Sequence, residues 1–462
     1  MVNIGSKRVK AREPGSRIGR SRAWGAALAA TLIAAAVLSI SCNVNGVGIF
    51  YGLQNERKIA TSGGLSTKLT IGSMVLVSGY YYAATGKIYV ASNNQGIGAT
   101  LTWTALPSPV SGAICTQLVS MTAPGGNGPL YAIFVSDSAP TVASISGSAL
   151  VYQGTVNPAD GTVSWTKDPA FANLYAQNLI VAGPAATPTL FVDASTTVQT
   201  DSTTTDTQYS LYWDNGGAAT LVTLGGATTF TSPVIAGAYE QGTTPPTTGS
   251  YWFASGSQLY QSTIGTTTPG SATYTANAPA PPSGLSPGNL QFSAIYYSPG
   301  TAAATGGGLG ALFASTRNGY LYAYVDASAG WTAASTVANS GSLVGLNGII
   351  DTGTLFGSTD AVLVGSDIGY FEMDLTAGSL TSSSSLSLVA PNGDNDLSTD
   401  LNYTAASLHD ITILNFLLDS TNLGDVRIFA LTAGGAATVT GGGGGLWRNE
   451  PTGSGTRTWS QD

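Results

Sequence analysis

The sequence predicts an all-β fold, a β-propeller of about seven four-stranded blades, because a strand-like motif recurs seven times. In each copy a strand-like run ends in a turn or a small residue, and then come Gly or Ser, an aliphatic residue and an aromatic residue. The aromatic ends are Tyr89, Tyr152, Tyr212, Tyr260, Tyr322, Phe371 and Trp447, with spacings of 63, 60, 48, 62, 49 and 76 residues. Charged residues make up 9% of the chain and there are 60 Gly, so long helices are not expected.

Each unit is expected to hold four strands. The strand-like run of the motif and the segment with its aromatic end are the second and third of them. A hydrophobic run suited to an innermost strand precedes the motif, at 73–77, 114–119, 179–183, 234–239, 290–297, 343–350 and 411–418. A predicted outer strand follows, marked in five units by Trp103, Trp165, Tyr274, Trp331 and Trp459. The other two units have 221–223 and 386–388 at that place. A four-stranded sheet cannot bury two apolar faces alone, so the units are expected to stack around an axis until a ring closes.

Ring closure leaves two interpretations open. The segment 48–54 also resembles the motif, although the last unit already has its Trp447 and Trp459. This segment is therefore either a clasp strand that pairs with the last blade or part of an eighth blade, the alternative blade count. Because closure removes exposed sheet edges, some pairing of the two ends is expected. The segments 194–208, 265–286 and 390–406 are rich in Thr, Pro, Ser and Asn and are predicted to be surface loops.

The first 42 residues have the order of a secretory signal peptide. Seven Lys and Arg lie between residues 7 and 22, an uncharged run covers 23–41, and Cys42 follows. The sequence Leu38-Ser39-Ile40-Ser41-Cys42 resembles the lipobox of bacterial lipoproteins. Ser39 occupies the position where Leu is usual, as in the relaxed lipoboxes of spirochaetal lipoproteins. The resemblance covers this segment alone and implies that Cys42 is acylated and becomes the first residue after cleavage.

The predicted organisation is a signal peptide over 1–41, a lipidated Cys42 with a short tether and clasp strand over 42–60, and the propeller over 61–462. The resemblance implies a lipid-anchored protein of the cell envelope that faces the periplasm or the cell surface. Because Asn43 rather than Asp follows the cysteine, the outer membrane is favoured. An uncleaved anchor helix is the other interpretation, since 19 uncharged residues come close to spanning a bilayer.

The charge balance after Cys42 excludes nucleic acid as an expected partner. Residues 43–462 hold 9 bases and 23 acids, a net charge of about −14. Such a surface repels phosphate backbones.

Few residues in the sequence suggest catalysis or metal binding. His409 is the one histidine of the chain, so a multi-histidine metal site or a histidine-based triad is not expected. Asp394, Asp396 and Asp400 form a weak Ca²⁺ candidate, and a solvated turn is the other interpretation, because the loop lacks the sixth-position Gly and the closing Glu of an EF-hand. No other cofactor is predicted. Cys115, the remaining thiol, is expected to be a small buried group.

The ionisable residues of the predicted inner strands lie near the strand ends, at Glu240, Asp351, Asp410 and Asp419. The arginines available for a substrate carboxylate are expected mostly in turns and outer strands, at Arg57, Arg317, Arg427, Arg448 and Arg457. A non-enzymatic binding or scaffold role is therefore the expected function, with a protein or a glycan held on the loops. The alternative is a hydrolase or lyase acting on an envelope or extracellular glycan, which requires several ionisable side chains converging at one mouth of the channel.

Overall fold

The structure is a computed structural model. It describes residues 65, 69–136, 149–199, 205–241, 249–263, 265, 268–299, 310–325, 330–332, 335–336, 338–339, 342–353, 360–375, 380, 388, 411–422, 425–434, 444–451 and 457–462. In this part of the chain, no helix has the length and apolar character needed to cross a membrane. The segment 48–54, Cys42 and the predicted signal peptide lie outside the described residues.

The first four blades are antiparallel sheets of four consecutive strands each. Blade 1 contains β1 (Ser73–Val77), β2 (Tyr80–Ala84), β3 (Ile88–Ser92) and β4 (Thr104–Leu106), and blade 2 contains β5 (Ile114–Ser120), β6 (Leu130–Val135), β7 (Ala149–Val156) and β8 (Val163–Lys167). Blade 3 contains β9 (Tyr175–Ala182), β10 (Thr189–Gln199), β11 (Thr205–Asp214) and β12 (Ala219–Leu221), and blade 4 contains β13 (Val234–Glu240), β14 (Ser250–Ser255), β15 (Gln258–Ser262) and β16 (Tyr274–Ala276).

The last three blades continue this order. Blade 5 contains β17 (Phe292–Ser298), β18 (Ala311–Thr316), β19 (Tyr320–Val325), β20 (Gly330–Trp331) and β21 (Ser335–Thr336), and a small hairpin of β22 (Ala338–Asn339) and β23 (Ser342–Leu343) follows. Blade 6 contains β24 (Leu346–Asp351), β25 (Asp360–Ser366) and β26 (Gly369–Leu375), and blade 7 contains β27 (Ile413–Asp419), β28 (Arg427–Thr432), β29 (Leu446–Pro451) and β30 (Arg457–Gln461). Two 3₁₀ turns cover Pro269–Ser271 and Pro287–Asn289.

The prediction of a seven-bladed all-β propeller with four-stranded blades is confirmed. Each predicted inner run overlaps the first strand of a blade, and the aromatic end of each motif lies in the third strand. The described residues form seven blades rather than the alternative eight. Three strands of blade 6 are described, and its outer strand was expected at 386–388, where the structure describes Leu388 alone.

The core consists of seven apolar clusters, one between each pair of neighbouring blades. Successive side chains of a strand point to opposite faces of its sheet, so Tyr82 packs toward blade 2 and Tyr81 packs toward blade 7. The cluster around Tyr81 includes Phe429 and Leu446 of blade 7. The last blade therefore packs on the first, and the ring is closed by the same apolar contact that joins the other blades.

Polar side chains of the inner strands tie each blade to the backbone of the next. The amide of Gln117 exchanges two hydrogen bonds with the Leu179 backbone, at 2.7 and 2.9 Å. Ser293 and Asn347 make the corresponding bonds to blades 6 and 7. The inner strands of blades 2 to 7 each shift register once against their partner strand, which adds an unpaired residue near the start of the strand. Ser293 and Asn347, which bond to the next blade, lie at two of these register shifts.

Two of the predicted surface loops contain regular structure. Strands β10 and β11 pair as far as Gln199 and Thr205, so residues 194–199 and 205–208 belong to paired strands rather than to a loop. The Thr-rich composition that favoured a loop also suits strands, because Thr is β-branched. The segment 265–286 contains β16, whose Tyr274 is buried. The segment 390–406 lies outside the described residues.

A buried carboxyl group lies at the junction of blades 3 and 4. The Asp193 side chain is fully buried, and its Oδ2 accepts a hydrogen bond of 3.3 Å from the Asn178 amide. Its Oδ1 has no hydrogen-bond partner among the residues that the structure describes. Burial disfavours the charged form and raises the pKa of Asp193 to about 8, although hydrogen bonds from Val234 and Asn178 oppose the shift.

We expect Asp193 to destabilise the fold as the pH rises. The unfolded chain loses this proton near the ordinary pKa of 3.8, whereas the folded chain holds it until about 8. Between these values the folded state binds more protons, so the free energy of unfolding falls with increasing pH. Asp193→Asn has no carboxyl group to ionise, so it should be more stable than the wild type at alkaline pH by an amount on the order of 3–5 kcal/mol. This difference in stability should shrink on acidification.

Urea unfolding of both proteins across the neutral range measures this difference. Parallel stability curves for the two proteins would contradict the assignment.

Candidate functional site

A polar pocket of about 450 Å³ lies between blade 1 and blade 7, on the face where the first strand of a blade turns into the second. Blade 1 contributes its first turn and the loop between β3 and β4, and blade 7 contributes the loop between β27 and β28. The lining residues are Gly79, Asn93, Asn94, Gln95, Gly96, Asp419, Thr421, Asn422, Asp425 and Arg427.

Tight turns hold the floor of the pocket in place. Ser78 and Gly79 both have positive φ, 52° and 81°, as a two-residue hairpin turn requires. The Gly79 carbonyl accepts a hydrogen bond of 3.0 Å from the Asn93 backbone. A Cβ at Gly125, in the loop between β5 and β6, would lie 2.2 Å from Cγ2 of Thr421. Loops of blades 1, 2 and 7 therefore support one another around the pocket.

The Arg427 guanidinium forms the inner wall and is 1% exposed. It donates hydrogen bonds to the carbonyl of Asn93, at 3.3 Å, and to the carbonyl of Gln95 in blade 1. It also pairs with Asp425, and its Nε lies 3.7 Å from Oε2 of Glu450. Burial alone would lower the pKa of Arg427, but the interactions with Asp425 and Tyr81 together outweigh it and raise that pKa. Arg427 therefore stays charged and joins the two blades.

A second arginine extends this network away from the pocket. Arg448 is 3.3 Å from Glu450 and 3.8 Å from Asp462, measured between nitrogen and carboxylate oxygen. These two carboxylates in turn hold the β3–β4 loop of blade 1. Glu450 accepts a hydrogen bond of 2.7 Å from the Gly98 backbone, and Asp462 accepts one of 2.6 Å from the Trp103 indole. Burial raises the pKa of Asp462, although the hydrogen bonds from the Trp103 indole and the Leu101 backbone oppose the shift.

Asp419 ends β27 at the edge of the pocket, and both of its oxygens are engaged. The Tyr81 hydroxyl donates to one oxygen. The backbone and hydroxyl of Thr421 donate to the other at 3.0 and 2.6 Å. Burial raises the pKa of Tyr81 above its ordinary value, so Tyr81 remains a donor. Asp419 is therefore a fixed acceptor that spans the junction of the two blades.

Most sequence-predicted site residues lie elsewhere. Cys42, the Ca²⁺ candidates Asp394, Asp396 and Asp400, His409 and Asp410 lie outside the described residues. Glu240 and Asp351 are buried at inner-strand ends, where Glu240 accepts from Ser250 and Trp252 and Asp351 accepts from Ser298. In the described part of the chain, no three His, Cys, Asp or Glu side chains are grouped to hold a metal. The predicted burial of Cys115 is confirmed, and burial raises its pKa.

Two of the five arginines lie outside the turns and outer strands that were expected for most of them. Arg427 begins the second strand of blade 7 and Arg448 lies in the third, and both side chains are buried. The sequence contains a signal for each, because Arg427 opens the apolar run 428–431 and Arg448 follows the motif residue Trp447. A cation inside a strand-like apolar run needs a partner, and that partner was not apparent from the sequence.

No protein-family model and no curated protein matches this sequence. Among solved structures, the fold is similar to Raptor from Chaetomium thermophilum, with 10% identity and a TM-score of 0.45, over 80% of this chain and 28% of that one. It is similar to Sqt1 from Saccharomyces cerevisiae, with 12% identity and a TM-score of 0.44, over 85% and 96% of the two chains. A chain of the Mitotic Checkpoint Complex has 10% identity and a TM-score of 0.42, over 93% and 94%. Identities this low carry no information about what this chain binds.

We expect Arg427 to stabilise the ring. Arg427→Met leaves the partly buried Asp425 and the buried Glu450 carboxylates without this cation, and the free energy of unfolding should fall by about 3–5 kcal/mol. Arg427→Lys keeps the charge but loses the forked donor geometry, so a smaller loss is expected. Urea unfolding monitored by tryptophan fluorescence measures both.

Lys167→Met is the matched control, because Lys167 is exposed on the outer strand β8. Equal stability of Arg427→Met and this control would rule out a structural role for the guanidinium.

Proposed function

We propose that this protein is a lipid-anchored, extracytoplasmic propeller that binds a protein or glycan partner through its loops and catalyses no reaction. The anchor is the acylated Cys42, and the outer membrane is the favoured location, with the propeller facing the periplasm or the cell surface. Nucleic acid is not a partner in this proposal, because residues 43–462 carry a net charge of about −14.

The observation that supports the proposal is that the ionisable side chains of the pocket already bond to other groups of the protein. A propeller is a rigid ring suited to protein-interaction scaffolding, and the pocket between blades 1 and 7 lies among its loops. The pocket carboxylates already accept hydrogen bonds or ion pairs from Tyr81, Thr421 and Arg427. These groups stabilise the closed ring, which leaves the loops as the surface that meets a partner.

The alternative, a glycan hydrolase or lyase, has less support from this arrangement. Most glycoside hydrolases use two carboxyl groups that flank the scissile bond, one of them as a proton donor. Among the described residues, Asp419 and Asp425 are the carboxylates that line the pocket, and each is held by side chains of the protein. Both oxygens of Asp419 and one oxygen of Asp425 would have to leave these partners before they could act on a substrate. Binding is therefore the function we favour.

The anchor is tested by labelling cells with radioactive palmitate. The wild-type chain should incorporate the label and fractionate with membranes, and Cys42→Ala should lose the label because it lacks the acylated thiol. Cys115→Ala is the matched control and should keep the label, since Cys115 is buried in the propeller. Unchanged labelling of Cys42→Ala would reject the lipid anchor.

The binding role is tested by photo-crosslinking in cells of the source organism. A photoreactive residue replaces Asn94 on the pocket face, Lys87 on the opposite face or Thr166 on the outer strand β8, three exposed positions. Because partners meet the loops, we expect specific cross-linked products from Asn94 or Lys87 and none from Thr166. Absence of products from both faces, or the same products from all three positions, would contradict a loop-mediated binding role.

A further inference from the structure

We propose that the pocket between blades 1 and 7 binds a small, uncharged, hydroxyl-rich ligand, the chemistry of a neutral saccharide, and that the bound ligand bridges the first and last blades. This inference rests on the proposed binding role and names the class of ligand for one site.

The size and lining of the pocket indicate a small polar ligand. Its volume of about 450 Å³ lies within the range of roughly 300–1,000 Å³ that is typical of small-molecule sites. Among the described residues, every lining side chain is a polar or charged group, and the remaining lining residues are Gly79 and Gly96. An aliphatic or aromatic ligand would cover polar groups without replacing their hydrogen bonds to water, which is unfavourable.

Most charged groups of the wall already have partners, which disfavours ionic ligands. A bound Ca²⁺ needs several available oxygen ligands, but both carboxylate oxygens of Asp419 are engaged by Tyr81 and Thr421, and in the described lining only Oδ1 of Asp425 is a carboxylate oxygen without a partner. A phosphate needs available donors, but the Arg427 guanidinium is directed at Asp425 and at carbonyls of blade 1. An ion would therefore have to break contacts that hold the ring together, whereas a neutral ligand leaves them intact.

The rim of the pocket offers neutral hydrogen-bonding groups from both blades. Asn94 of blade 1 is exposed, and its side-chain amide makes no hydrogen bond within the described residues. Thr421 and Asn422 of blade 7 are exposed across the junction. An amide both donates and accepts, and the Thr421 hydroxyl, whose proton is donated to Asp419, can still accept. Adjacent hydroxyl groups of a sugar ring match such a rim without any change in charge.

A ligand in this pocket contacts the two ends of the ring at once. Its lining comes from the β3–β4 loop of blade 1 and the β27–β28 loop of blade 7. Because only the closed ring presents both loops together, a ligand that binds there shifts the equilibrium toward the closed state. Saccharide binding should therefore slow amide hydrogen exchange in both loops.

The test is calorimetric titration of the full-length chain in detergent micelles. The neutral probes are glucose, galactose, N-acetylglucosamine and their disaccharides, and the charged probes are glucuronate and choline. We expect heat from at least one neutral saccharide and none from the charged probes. Hydrogen exchange with the bound saccharide should slow at 93–96 and 421–422, and at no other exposed loop.

The variant Asn94→Ala should weaken saccharide binding by about threefold to tenfold, the effect of one neutral hydrogen bond. Asn215→Ala is the matched control, an exposed asparagine in the β11–β12 loop of blade 3, and should bind like the wild type. Circular dichroism of both variants checks that the fold is retained.

Three outcomes would overturn the inference: no binding of any neutral saccharide, tighter binding of a charged probe, or equal binding by the two variants. If no saccharide binds but the Asn94 cross-linker captures a protein, the proposed function stands and this inference fails. If neither experiment detects a ligand on this face and Lys87 also captures none, both are wrong.

Discussion

Each blade has two apolar faces, and the rest of the structure depends on covering both. Seven apolar clusters do this, and each cluster joins two neighbouring blades of the ring. The closure between blades 7 and 1 is therefore essential, because an open ring would expose the face of Tyr81 on one side and that of Phe429 on the other. No disulfide supports the described fold, since Cys115 is a free thiol.

The closing junction also carries buried charges. Arg427 and Arg448 form ion pairs with acidic partners there. Arg427 donates to carbonyls of the β3–β4 loop of blade 1, and Glu450 accepts a hydrogen bond from an amide of the same loop. Removing such charges from water costs free energy, so their value lies in specifying geometry as much as in adding stability. Blades 7 and 1 are distant in sequence, and within the described residues they share no strand. Directional bonds between Tyr81 and Asp419 and around Arg427 set how the two blades meet, and the pocket is the space left between their loops.

The strands were predictable from the sequence, and the site was not. Residues 73–77, predicted as an inner run, are β1 to the residue, and the motif at Tyr89 lies in β3. Alternation and turn residues act over a few positions, so a local pattern is enough to find such elements. The hairpin of β10 and β11 was missed because its Thr-rich composition resembles that of a loop. Asp419 was noted as ionisable, but its bond from Tyr81 joins residues 338 positions apart.

The sequence by itself determined that the chain is all-β, that its units repeat about every 60 residues and that few ionisable groups are available for chemistry. These properties follow from side-chain type and spacing along one strand or turn. The tertiary structure alone decided that Arg427, Glu450 and Asp462 contact the first blade, and that a polar pocket lies between the two ends of the ring. Closure brings the ends of the chain's repeats together, and contacts across that distance depend on the position of every blade between them.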